Sequence, residues 1–193
     1  MNLPPIILAS TSPRRSELLR EMGLEFVVSP AHIEEAEHPH LSPVELAKLN
    51  ACRKARVIAR RYPKALVLGA DTVVALGTKF YAKPADRADA ARMLRELQGQ
   101  THQVVTGICL IHLHGRRHRL FAETTHVTFR ALTLAQIQDY LARIHALDKA
   151  GAYAIQEHGD RIVKGIVGSF NNVVGLPTER LAQELAQMAE HLG

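Results

Sequence analysis

The chain has 193 residues, 47% of them hydrophobic and 22% charged, with a formal net charge of +5 at neutral pH. That length buries a substantial core without staples, and the balance is that of a globular protein, neither disordered nor fibrous. Aromatics are 5%, tryptophan is absent, and the basic residues are scattered, so the clustered basic stripe with interleaved aromatics that suits polymeric nucleic acid is missing.

In chain order, Ile6 to Ala9 reads as a buried strand. Ser12 and Pro13 read as an N-cap and first helical residue, and the helix runs to Met22 and stops at Gly23. Phe26 to Ser29 is a short second strand, and His32 to His40 an acidic, proline-bearing loop. Ser42 and Glu45 form a capping-box pattern that opens a long helix ending near Arg61, before Pro63. Ala65 to Gly69 is an apolar strand; after the polar pair Asp71-Thr72, Val73 to Leu76 is apolar again. Asp86 caps a helix closed by Gly99. His102 to His114 is a long strand, Gly115 to Arg117 turns into a second long strand ending near Arg130, and Thr133 caps a helix through Ile144. Gly151 to Gln156, Arg161 to Val167 and Val173-Val174 read as extended, and Pro177 begins a last helix. Helices alternating with strands, plus one hairpin, predict an α/β fold with a mixed sheet.

Cys52 and Cys109 are the only cysteines. Two such distant residues predict neither a disulfide framework nor a zinc site and fit a reducing compartment. No apolar run approaches the ~20 residues that span a bilayer, and residues 1–9 lack the basic region of a secretory leader. A cytoplasmic protein without membrane contact is expected. The eleven histidines include no HExxH and no zinc-like spacing. His112 and His114 alternate with Ile111 and Leu113, which predicts the polar face of a strand.

Five stretches carry candidate chemistry. The first is "PPIILASTSPRR", residues 4–15. A strand delivers Ser10, Thr11 and Ser12 to a helix N-terminus, whose N–H groups and partial positive charge favour an anion. Arg14 and Arg15 add forked donors suited to phosphate, yet a strand–helix junction with Ser-Pro is also an ordinary connection. The second is Asp71-Thr72, at an apparent strand end, where a carboxylate holds a hard cation, activates a water, or merely makes a turn. The third is Lys54, in a helix, with Lys83, held extended before Pro84; each alone is a solvated lysine, but with the arginines they suit a polyphosphate. The fourth is Glu34-Glu35, which with Asp71 makes a two-carboxylate magnesium site or is simply solvated. The fifth is Asp148 to Gln156, where Gln156 offers a donor and an acceptor to a base edge or sits in a plain loop.

Taken together, "ILASTSPRR", the Ala51–Ala55 "AxxKA", "GADTVV", "KPAD", "GQTHQVVTG", "VTFRALT", "DKAGAYAIQ" and "VVGLP" occur in an order that resembles the Maf family of nucleoside triphosphate pyrophosphatases, from about Ile6 to Pro177. The resemblance implies one Maf-like α/β domain over residues 1–193, in two lobes with a cleft, its elongated mixed sheet flanked by helices and related to that of the inosine-triphosphate pyrophosphatases. It implies cleavage between the α and β phosphates of a nucleoside triphosphate, a divalent cation (Mg²⁺ or Mn²⁺), and a cytoplasmic and often dimeric protein. It assigns catalytic roles to Asp71, Lys54, Lys83 and Glu35, metal binding to Asp71 and Glu35, and substrate contacts to Ser10, Arg14, Arg15, Thr72 and Gln156. Arg14, Thr72 and Gln156 match the dTTP/UTP-preferring subgroup; the sister group acting on 7-methyl-GTP tends to carry tryptophan, glutamine and glutamate there. The chain departs from the pattern at Asn50, where leucine is frequent, and at residues 77–82, which lack an acidic turn; both are expected to be peripheral. The competing readings are a pyrophosphatase for a purine or methylated nucleotide, and a non-catalytic nucleotide- or nucleic-acid-binding regulator.

Overall fold

The computed structural model describes residues 3–33 and 40–190. In chain order these form β1 (Ile6–Leu8), α1 (Pro13–Glu21), β2 (Phe26–Val28), α2 (Pro43–Arg61), β3 (Leu66–Leu76), β4 (Lys79–Tyr81), α3 (Arg87–Leu97), β5 (Thr101–His112), β6 (Arg117–Phe129), α4 (Leu134–Arg143), β7 (Val163–Val167), α5 (Phe170–Val174) and α6 (Thr178–Glu190). The seven strands make one mixed sheet in the order β2-β1-β3-β5-β6-β7, with β4 also on β3. β1 runs parallel to β2 and β3, whereas β3, β5, β6 and β7 are successively antiparallel.

Strand alternation divides the core. On one face, Leu66, Leu68 and Ala70 of β3 pack with Ile108, Leu110, α1 and α6; farther along, Val74 and Val104 pack with α3 and α4. Between these two apolar clusters the same face carries hydroxyls: Thr72 Oγ1 lies 3.0 Å from Thr106 Oγ1, which in turn donates to Asn172 O at 3.0 Å. The opposite face takes α2.

Two extended readings and one expected strand end do not hold. Val173-Val174 lies in α5, whose helix Ser169 caps by accepting from Asn172 N. Residues 150–152 form a 3₁₀ turn in which Gly151 and Ala152 have φ of 71° and 61°, outside strand geometry. Asp71-Thr72 does not end a strand, because β5 pairs with β3 unbroken from Val67 to Ala75. His112 is buried, its Nε2 3.1 Å from Lys64 O, so it does not lie on an exposed polar face. The two cysteines, distant in sequence, are neighbours in space together with His118. No helix among the described residues is long and apolar enough to cross a membrane.

Candidate active site

The site begins with an interruption at one edge of β3. β1 accompanies β3 only as far as the Leu8–Leu68 pair, and β4 joins it only from the Tyr81–Val74 pair. Between these points residues 69–73 are paired to β5 alone among the described strands. Asp71 and Thr72 therefore sit in mid-strand yet face an opening. A strand interior holds its side chains more rigidly than a loop, which suits groups that must keep their geometry.

Two glycines bring α2 down onto this strand. A Cβ on Gly69 would lie 2.3 Å from Ala51 O, and one on Gly107, the β5 partner of Asp71, 2.4 Å from Ala47 O. Only glycine admits that approach. As a result, Asn50 and Lys54, one helical turn apart, both reach the Asp71 carboxylate. Lys54 Nζ donates to Oδ1 at 2.6 Å and Asn50 Nδ2 to Oδ2 at 3.3 Å. The pair is buried, with Lys54 9% and Asp71 5% exposed. Asn50 is thus not peripheral, as its departure from the family pattern suggests, but a direct partner of Asp71.

The N-terminus of α1 forms another wall. Ser42, Asp86 and Thr133 each accept a backbone N–H of the helix they begin. Ser12 makes no such bond, and the first turn of α1 holds no acidic residue. That leaves the helix end electropositive where it borders the cleft. Arg15 is buried behind it. Its Nε donates to Gly175 O (2.9 Å), Nη1 to Ser10 Oγ and Ala70 O (both 3.0 Å), and Nη2 to Thr72 Oγ1 (2.9 Å). Ala70 lies in the stretch paired to β5 on one edge only, so on the open edge the guanidinium stands in for the missing backbone donor. One side chain thereby ties the chain after β1, β3 and the chain after α5 together.

Arg14, the adjacent residue, points elsewhere: its Nη1 meets Asp148 Oδ2 at 3.1 Å. Burial alone would push the Asp148 carboxyl up. Hydrogen bonds from Lys149, His145 and Arg14 outweigh it and hold the group well below the usual carboxylate range. Lys149 is 5% exposed and also donates to His145 O at 2.6 Å. Lys83, by contrast, is exposed and makes no ion pair among the described residues. Gln156 is exposed at the far end of the same segment as Asp148.

These walls enclose a cleft of about 1130 Å³. It is lined by Ser10, Arg14, Arg15, Lys54, Asp71, Thr72, Lys83 and Gln156. Glu35 lies outside the described residues. Asn50, Asp148 and Lys149 line the cleft as well. For the last two the only signal in the sequence is their place in the small-residue stretch before Gln156; for Asn50 it is the helical spacing to Lys54.

The family model for Maf-like protein matches residues 5–188. The chain belongs to this family. It is 48% identical over 182 residues to a dTTP/UTP pyrophosphatase of Gloeobacter violaceus, a match covering 94% of this chain and 95% of that protein. It is 46% identical over 182 residues to a dTTP/UTP pyrophosphatase of Symbiobacterium thermophilum, covering 94% and 93%. A third relative, the dTTP/UTP pyrophosphatase of Koribacter versatilis, is 47% identical over 177 residues, covering 91% and 90%.

Proposed function

We propose that this Maf-like chain hydrolyses dTTP and UTP to the nucleoside monophosphate and pyrophosphate. The observation that carries the reading is a buried carboxylate–ammonium pair, Asp71–Lys54, at the floor of a cleft whose rim is cationic. A site that only bound anions would gain nothing from a carboxylate among its cations. A hydrolase needs one to orient a water or take its proton.

In this reading the α1 N-terminus with Ser10, together with Lys83 and Arg14, grips the triphosphate. Asp71 orients the water and takes up its proton as the water oxygen bonds to the α-phosphorus. The bond from that phosphorus to the bridging oxygen breaks, and pyrophosphate leaves with the bridging oxygen. Positive charge at the rim offsets the charge that develops on the leaving group. Lys54 holds one Asp71 oxygen in place and Asn50 the other. Arg15 braces the floor and adds positive potential. Arg14, Thr72 and Gln156 select the pyrimidine.

A divalent cation, Mg²⁺ or Mn²⁺, belongs to the same reading. A carboxylate accepts at about four lone-pair sites, so donation from Lys54 and Asn50 leaves Asp71 compatible with a hard cation. Asp71 would hold it, with Glu35 as the expected second carboxylate. When bound, such an ion neutralises phosphate charge and polarises the phosphoryl group. A cytoplasmic location and a homodimer complete the reading, the latter checked by sedimentation. The deciding experiment incubates the protein and Mg²⁺ with each common nucleoside triphosphate in turn and separates the products. The monophosphate and pyrophosphate, formed fastest from dTTP and UTP, are expected. Orthophosphate release, or faster turnover of purine triphosphates, overturns the assignment.

A further inference from the structure

The face of the sheet covered by α2 carries a second cluster of chemically capable groups, outside the cleft. Cys52 on α2, Cys109 on β5 and His118 on β6 bring one ligand atom each to within 4.8 Å of one another. Cys109 Sγ lies 3.3 Å from His118 Nε2, and the Cys52 thiol sulfur is within 4.8 Å of both. None of the three lines the cleft.

The fold explains the meeting. Cys109 is the β5 partner of Gly69, the glycine that lets Ala51 and Ala55 of α2 touch the sheet. Cys52, in that same turn of α2, is lowered with them until its thiol reaches Cys109. Cys109 pairs with Leu120 on β6, so His118, two residues away, projects from the same face on the diagonal. Ordinary core packing accounts for two buried cysteines. It does not account for an imidazole nitrogen turned inward onto one of the thiols when its ring is at the exposed margin of the sheet.

We propose that Cys52, Cys109 and His118 form a binding site for a thiophilic divalent cation of the Zn²⁺ class, with water as fourth ligand on the open side of His118. Zinc bonds of ~2.3 Å to sulfur and ~2.0 Å to nitrogen set the ligand atoms of a tetrahedral centre about 3.5 to 3.8 Å apart. The cluster needs shifts of no more than about an ångström to reach that. Burial pushes the Cys109 thiol up, which keeps it protonated without metal, and Arg56, one turn beyond Cys52, acts on Cys109 in the opposite sense. Two thiolates and Zn²⁺ form a neutral unit, which a site this buried tolerates. Binding releases the two thiol protons.

The test uses the full chain with its thiols reduced and Co²⁺ as the spectroscopic stand-in for Zn²⁺. One equivalent is expected to produce thiolate-to-cobalt charge-transfer absorption with tetrahedral ligand-field bands, bleached by Zn²⁺. Asp71→Asn should retain the bands, which separates this site from any cation in the cleft. Cys52→Ala and Cys109→Ala should lose the charge-transfer absorption, with circular dichroism recorded on each. His118→Ala, at the surface, keeps the fold and is expected to weaken binding about tenfold or more, since even supporting partners of ligands cost that much. Absence of thiolate bands in the parent chain, their survival in Cys52→Ala, or undiminished affinity in His118→Ala overturns the site.

Discussion

Two lysine–carboxylate pairs in this molecule have the same length and opposite circumstances. Lys54 Nζ meets Asp71 Oδ1 at 2.6 Å on the cleft floor, and Lys79 Nζ meets Glu96 Oε2 at 2.6 Å on the outside of α3. The side chains of the first are 11% and 7% exposed, those of the second 53% and 32%. Taking the inner pair out of water costs several kcal/mol per ion, which the attraction between them barely returns. The outer pair avoids most of that cost and gains about 1 kcal/mol at most. An expensive pair that does little for stability points to chemistry; a cheap one points to a solvated surface. The bond length separates neither case.

The largest expected effects come from breaking the inner pair. Asp71→Asn preserves the shape of the side chain and an acceptor for Lys54, but it leaves that buried ammonium without its counter-ion and should lower the unfolding midpoint. Turnover of dTTP and UTP should fall by about 10²- to 10⁴-fold, the usual worth of a general base. Full activity in this variant, measured as pyrophosphate released, removes Asp71 from its role. Lys54→Met does the reverse: it leaves a buried carboxylate without its cation and should cost roughly 3 to 5 kcal/mol in denaturant unfolding as well as activity. If Lys54→Met unfolds at the same denaturant concentration as the parent, the two pairs are alike after all.

The glycines that create the inner pair give the next effect. Gly107→Ala inserts a Cβ against Ala47 O and Lys48 N, both backbone atoms that cannot swing aside. Lifting α2 should cost about 1 to 3 kcal/mol and draw Lys54 and Asn50 off Asp71, so stability and turnover fall together. A destabilised variant with parental turnover would show that α2 need not sit low.

These elements also show how far the sequence can be read. The Ser12-Pro13 helix start, the Ser42–Glu45 box and the Asp86 and Thr133 caps are local signals, and each stands where its spacing places it. Arg14, Lys54, Lys83 and Gln156, read from separate stretches, line one cleft. What stays hidden depends on tertiary pairing. Nothing near Asp71 announces that β1 stops and β4 starts on either side of it, so a mid-strand residue reads as a strand end. Nothing near Asn50 or Cys52 reveals that two glycines, each far along the chain, let their helix touch the sheet.

His102 sharpens the comparison by showing burial without a charged partner. Its Nε2 lies 2.9 Å from the Tyr153 hydroxyl, and its ring packs edge-on against Phe129 and Tyr153. Desolvation lowers its pKa from 6.5 to about 4. The native state therefore refuses a proton that the unfolded chain accepts. Stability from this residue is complete above pH ~6.5 and is lost as pH falls through about 4. The full difference corresponds to roughly 3 kcal/mol. His102→Gln, which does not titrate, should flatten the decline in unfolding free energy between these limits. An unchanged slope would mean that other groups set the acid response.

The smallest effect belongs to the outer pair, and its smallness is what the comparison requires. The hydrogen bond from Lys79 is the main influence lowering the Glu96 pKa from 4.5 to about 2, against an opposing push from burial and with help from Arg92 and Tyr81. A depressed carboxyl stabilises the fold above pH ~4.5 and stops doing so as pH falls through about 2. Taken at face value, such a drop exceeds 3 kcal/mol. Water and salt reach a side chain that is 32% exposed, however, and screening cuts that worth to about 1 kcal/mol or less. Glu96→Gln should therefore move the unfolding midpoint only slightly at neutral pH and leave dTTP turnover intact. The difference from the parent should shrink further in 1 M salt, where charges interact over only ~3 Å. A loss rivalling that of Lys54→Met, or one indifferent to salt, would show that exposure does not separate these two pairs and would weaken the case for Asp71 built on its burial.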